Sequence, residues 1–128
     1  MKRSIMVVED DQPILDMMEI LLKRLGYEPQ LSNNGIAALA EIKRNPPSLI
    51  LLDVMMMPIN GWEFLDWLRA DPATKDLPVV LFTAHPSVEA TVAKLKDPNL
   101  GVLLKPVTFT ELAKALEQYL GKDPATDR

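Results

Sequence analysis

Glu9, Asp10 and Asp11 follow the apolar run IMVV, and Asp53 follows the apolar run LILL. Two further runs, VVLF and VLL, stop at Thr83 and Lys105. Carboxylates, a hydroxyl and an ammonium are the parts needed to move a phosphoryl group. Several carboxylates in one crevice repel one another, so they share protons or hold a hard cation, and an all-oxygen set suits Mg2+, which takes few protein ligands and keeps several waters. Two acids after the first run, together with Asp53, would leave coordination positions open for a phosphate oxygen. Lys105 then supplies a point charge for that phosphate, Thr83 a hydroxyl donor, and Ala84 room for the group to approach the backbone amides. Asp53 is placed to act as the nucleophile and become an aspartyl phosphate.

Each residue alone has an ordinary explanation. An acid after a strand is commonly a helix N-cap, Thr83 a strand-end hydroxyl, and Lys105 a solvated head on a buried stem. The ordered placement at the ends of four separate apolar runs is what points to a site. If the runs are parallel strands, their carboxyl ends meet at one edge of the sheet, where open α/β folds keep their ligand crevice.

The runs over 5–8 and 49–52 are continuous rather than alternating, the pattern of strands covered on both faces. Ile14, Met18, Leu21, Leu22 and Leu25 recur at helical spacing, with Asp11 as N-cap, Pro13 in the first turn and Gly26 past the end. A short strand follows at 29–31, then an Asn33-Asn34-Gly35 turn and a helix carrying Ile36, Leu39, Ala40 and Ile42, ended by Pro46-Pro47. After the strand that delivers Asp53, residues 54–61 read as a loop. Trp62, Leu65 and Leu68 form the apolar face of a third helix closing near Asp71-Pro72. A fourth strand spans 79–82. Residues 87–95 form a weaker helix, since Thr91 and two valines have poor helix propensity. A fifth strand at 102–104 leads to a last helix with Leu112, Ala115, Leu116 and Tyr119 inward and Thr108 or Thr110 as cap. Five strands alternating with five helices predict an α/β fold, a doubly wound (βα)5 sandwich of flavodoxin-like type with a parallel sheet in the order 2-1-3-4-5.

Composition agrees with one domain: 128 residues, 48% hydrophobic and 25% charged. We expect the domain over 1–120 and a polar tail over 121–128. No apolar stretch approaches the roughly 20 residues a membrane-spanning helix needs, and the run after Lys2 and Arg3 is too short for a signal peptide. A cytoplasmic protein is expected. The absence of cysteine excludes disulfides and thiolate ligands. A net charge of -4 without a basic run argues against direct nucleic-acid binding.

In order along the chain, VVEDD, LLDVMMMPINGWEFL, LFTA and LLKP resemble the receiver domain of bacterial response regulators, over roughly residues 5–119. The resemblance implies that Asp53 accepts a phosphoryl group from a histidine kinase or a histidine phosphotransfer protein. It implies that Glu9 and Asp10 organise Mg2+ with Asp53 and the backbone carbonyl of Met55, while Asp11 caps the helix or adds a ligand. Thr83 and Lys105 would bind phosphoryl oxygens, and the Lys105-Pro106 bond would be cis. Pro58 and Gly61 match the family's turn after the phosphoacceptor. Met55 and His85 stand at the two positions that flank the phosphoryl group. Val102 replaces the Tyr or Phe of many receivers, which shifts signal passage to the loop holding Ala84 and to the fourth helix.

The resulting expectation is a switch rather than a metabolic enzyme, one that catalyses only its own phosphorylation and dephosphorylation. The alternative is a degenerate receiver that binds partners without phosphate, against which the retained acids, Thr83 and Lys105 count. A phosphohydrolase with an aspartate nucleophile would need an acid where Met55 stands. A flavin-binding role lacks a phosphate-cradling loop after the first strand. His85 reads as a solvent-facing loop residue, the Met55-Met56-Met57 run as gap filling, and Trp62 and Trp67 as helix packing with at most one exposed. A stand-alone regulator would dock its downstream protein through the fourth helix, fifth strand and fifth helix.

Overall fold

Strands made of unbroken apolar residues must be shielded from water on both sides, and the chain does this by placing α-helices on both faces of one sheet. The computed structural model describes residues 3–56 and 59–121. The elements run β1 (Ser4–Val8), α1 (Gln12–Arg24), β2 (Glu28–Ser32), α2 (Gly35–Arg44), β3 (Leu49–Asp53), α3 (Gly61–Ala70), β4 (Val79–Thr83), α4 (Ser87–Leu95), β5 (Leu100–Leu104) and α5 (Phe109–Leu120). All strand pairs are parallel, in the order β2-β1-β3-β4-β5. This is the flavodoxin-like sandwich expected from the sequence. Met57, Pro58 and the tail beyond Gly121 lie outside the described residues.

The period of two along each strand divides the core in half. Met6, Val8, Ile50, Leu52, Val79 and Leu81 face one way, where α2, α3 and α4 bring Ala38, Ile42, Phe64, Leu68 and Val88. Ile5, Val7, Leu49, Leu51, Val80 and Phe82 face the other, against Leu15, Met18 and Leu22 of α1 and Leu112 and Leu116 of α5. Each large apolar side chain so buried stabilises the fold by roughly 1.5–3 kcal/mol.

Several local details differ from the expected ones. Helix α2 turns Gly35, Ala38 and Ile42 inward, while Ile36 is 53% exposed and Ala40 also faces solvent. Gly35 packs against Ile59 and Met56 after β3, where a Cβ would lie 2.8 Å from the Ile59 side chain, so close packing and not apolar size alone sets the inward stripe. Phe64, absent from the expected face of α3, is fully buried. Strand β5 starts two residues earlier than expected, at Leu100. Asp11 occupies the N-cap position of α1 but its side chain makes no capping bond. Thr108, not Thr110, caps α5, in a reciprocal pair with Glu111.

Two contacts fix the edges of the sheet. At the end far from Asp53, Arg69 of α3 donates to Asp97 at 2.7 Å and to the carbonyls of Leu77 and Asn99 at 2.8 and 3.1 Å, tying α3 to the entries of β4 and β5. At the near end, the first turn of α3 sits directly on the exit of β3. The Gly61 amide donates to the Val54 carbonyl at 2.9 Å, and a Cβ at Gly61 would lie 2.8 Å from the Asp53 carbonyl oxygen and from the Val54 Cα. Both neighbours are backbone and cannot rotate away. Gly61→Ala is therefore expected to lower unfolding free energy by about 1–3 kcal/mol, measured by urea denaturation; an unchanged midpoint would show that the β3 exit tolerates the methyl group.

Candidate functional site

The parallel register brings four strand ends to one rim. Val8 pairs with Leu52, Asp53 with Phe82, and Thr83 with Leu104. The residues that close β3 and β4, and those that follow β1 and β5, therefore face one another across a crevice of 340 Å³ lined by Glu9, Asp10, Asp53, Met55, His85 and Lys105, among others. Glu9, Asp53 and Thr83 are almost wholly buried, at 1%, 3% and 1% exposure, whereas Asp10 is exposed. Glu9, Asp10 and Asp53 each offer a carboxylate oxygen, and these oxygens lie within 4.8 Å of one another.

Each side chain is held by its backbone neighbours. The Glu9 amide donates to the Ser32 carbonyl at 3.0 Å, and the Asp11 amide donates to Glu9 Oε2 at 3.3 Å. The Met55 amide donates to Asp53 Oδ1 at 3.1 Å. The His85 amide donates to Thr83 Oγ1 at 3.1 Å, which leaves the threonine's own proton free to serve another acceptor. Lys105 is anchored by its amide on the Thr83 carbonyl at 2.8 Å and precedes a cis bond to Pro106. Its ammonium lies 5.1 Å from the centre of the Phe82 ring.

Lys105 Nζ donates to Glu9 Oε1 at 3.0 Å and lies 3.5 Å from Asp53 Oδ1. One ammonium thus serves two buried acids. Burial, followed by the hydrogen bond and charge of Asp53, pushes Glu9 from its ordinary 4.5 up to about 7, against the opposing pull of Lys105. Burial alone would lower Lys105, but its bond to Glu9 and the charges of Asp53 and Glu9 outweigh this and raise it. The donor set is all oxygen, hard and short of positive charge, which fits a small divalent cation.

Residues 5–117 match the family model described as the response regulator receiver domain. The chain belongs to the response regulator receiver family. It is 36% identical to the transcriptional regulatory protein ZraR of Escherichia coli strain K12 over 97% of its own length, but spans only 28% of that relative. It is 27% identical to the polar-differentiation response regulator DivK of Brucella anthropi, with 94% of this chain and 98% of DivK covered. The receiver domain of the sensor histidine kinase PA1611 from Pseudomonas aeruginosa, solved with a magnesium ion in its active-site cleft, superposes with a TM-score of 0.84 at 26% identity, covering 94% of this chain and 99% of that one.

The receiver crevice brings together Glu9, Asp10, Asp53 and Lys105, while Thr83 is buried at the end of β4 directly before its rim residues Ala84 and His85. Ala84 and His85 lie exposed on its rim, and Val102 is partly buried against the core beneath α4. Asp11 contributes its amide to Glu9. The sequence reading missed the direct pairing of Lys105 with Glu9 and Asp53. It also missed the ring of Phe82 beneath the lysine and the Ser32 carbonyl behind Glu9. Among the described residues no helix is long and apolar enough to cross a membrane.

The raised carboxyl of Glu9 carries a sign that can be measured. Because its folded value lies above its unfolded one, this group's contribution to stability is fully present below pH 4.5 and is lost as pH rises to about 7. In chelator, the unfolding free energy of wild type minus that of Glu9→Gln should fall by something on the order of 2–3 kcal/mol between pH 4.5 and 8. Urea denaturation across that range checks it, and parallel pH profiles would show that Glu9 ionises in the fold as it does in water.

Proposed function

We propose that this receiver takes a phosphoryl group onto Asp53 from a phosphorylated histidine of a kinase or phosphotransfer protein, in the cytoplasm, and uses it to switch a protein–protein contact. The observation that carries the proposal is the Lys105 ammonium within 3.0 Å of Glu9 and 3.5 Å of Asp53, in a crevice where three carboxylates converge. Structural packing alone gives no reason to bury two acids at the rim of a sheet, where each costs desolvation energy.

An oxygen of the Asp53 carboxylate attacks phosphorus as the P–N bond of the donor breaks, and the bonding pair leaves with the imidazole, which departs neutral when its other nitrogen holds a proton. Water attack later returns the carboxylate and releases inorganic phosphate. Glu9, Asp10, Asp53 and the Met55 carbonyl would hold Mg2+, which when bound supplies positive charge for the phosphoryl oxygens. The PA1611 receiver, with its magnesium in the corresponding cleft, supports that assignment. Lys105 moves from its pairing with the acids toward a phosphoryl oxygen, and the Thr83 hydroxyl donates to another.

The switch is read out through α4, β5 and α5. Helix α4 buries only Val88, its N-terminal position is Pro86 without a side-chain cap, and it ends on Lys96 in a left-handed conformation. Few contacts oppose its displacement. With Val102 in place of an aromatic ring, the displacement starts from the Thr83-Ala84-His85 loop.

With acetyl phosphate and Mg2+, the intact mass should rise by one phosphoryl group and Trp62/Trp67 fluorescence should change. Asp53→Asn or chelator should abolish both. Lys105→Ala should still gain the adduct, roughly tenfold more slowly, while losing the fluorescence response. Continuous phosphate release at enzyme-like turnover, or an adduct that survives Asp53→Asn, would overturn the assignment.

A further inference from the structure

Two adjacent methionines follow β3 in opposite environments. Met56 is 3% exposed and part of the core, whereas Met55 is 64% exposed and lines the crevice with Glu9, Asp53 and Lys105. Met6 and Met18 are buried, and Met17 is 40% exposed on α1. Met55 is therefore the most accessible thioether among the described residues, and the one beside the phosphoacceptor. Its position is fixed by its own amide, bonded to Asp53 Oδ1.

We propose that Met55 is a reversible oxidation site for hydroperoxides, and that its sulfoxide shortens the life of the phosphoryl group on Asp53. This rests on the reading of Asp53 as phosphoacceptor. In the oxidation step a sulfur lone pair attacks the terminal peroxide oxygen and the O–O bond breaks. Sulfur loses two electrons, the peroxide gains them, and after proton transfer it leaves as water or an alcohol. Sulfur becomes partly positive on the way. The acids Asp10 and Asp53 in the same crevice favour that charge.

The product differs in kind from the thioether. An apolar, weakly accepting side chain becomes a strong hydrogen-bond acceptor. At the crevice mouth it holds a water close to the acyl phosphate, and hydrolysis of that phosphate needs a water beside phosphorus. The oxidised receiver then resets faster, and a sulfoxide reductase drawing two electrons from a dithiol, which becomes a disulfide as water is released, restores the slower clock.

The test begins with substoichiometric hydrogen peroxide and peptide mass spectrometry that separates Met55 from Met56 and Met57. The first oxygen should fall on Met55. Each protein is then phosphorylated with acetyl phosphate and Mg2+, the donor is removed, and decay of the adduct is followed by intact mass. Oxidised wild type should lose its phosphoryl group about fivefold faster than reduced wild type, and methionine sulfoxide reductase should reverse the change. Met55→Leu defines its own rate, and peroxide should leave that rate where it was. First oxidation at Met17 or another methionine, equal decay before and after oxidation, or a peroxide effect that persists in Met55→Leu would each overturn the proposal. Failure of the reduced protein to form any adduct would instead remove the reading of Asp53, and this regulation with it.

Discussion

Repulsion among carboxylates is the constraint around which this receiver is organised. Two acids are buried at the rim of the sheet and a third stands beside them, and one ammonium compensates the buried pair. Charges taken out of water at such spacing cost several kcal/mol each unless paired. The crevice answers with Lys105 and with a raised carboxyl at Glu9. A site left short of positive charge suits a cation, and under the proposed function the negative oxygens of a phosphoryl group would be shared between that cation and Lys105.

The rest of the fold keeps those charges where they are. Hydrophobic burial on both faces makes the sheet rigid, and parallel pairing carries the polar residues to a single edge. Gly61 allows α3 to begin directly on the backbone that bears Asp53. Arg69 secures the opposite edge, binding the end of α3 to the turns before β4 and β5. Against that frame α4 is lightly held, with Val88 alone buried. The strands hold the charge, and α4 is the helix with the smallest share of the core.

Much of this was legible in the residues. Continuous apolar runs are unambiguous for strands covered on both sides, and the acids, Thr83 and Lys105 gained meaning because each stood at the end of such a run. Helix phase was less legible where small residues make the contact, as at Gly35 and Ala38, because apolar size then points the wrong way. Phe64 was hidden by neighbours equally able to fill the interior. Interactions that use backbone carbonyls, as Arg69 does with Leu77 and Asn99, leave no mark in side-chain types. The cap of α5 was narrowed to two threonines, and only the reciprocal bond with Glu111 distinguished them. The pairing of Lys105 with Glu9 could not be seen before the strand order was known.

That pairing joins residues 96 positions apart. Synthesis proceeds from the amino terminus, so every acid of the crevice leaves the ribosome well before its counter-charge does. A nascent chain holding β1 through β4 has the repulsion without the remedy, and it gains a balanced rim only when β5 docks at the sheet's edge. Charge balance at the rim therefore arrives with the last strand, just ahead of the helix α5 that completes the core.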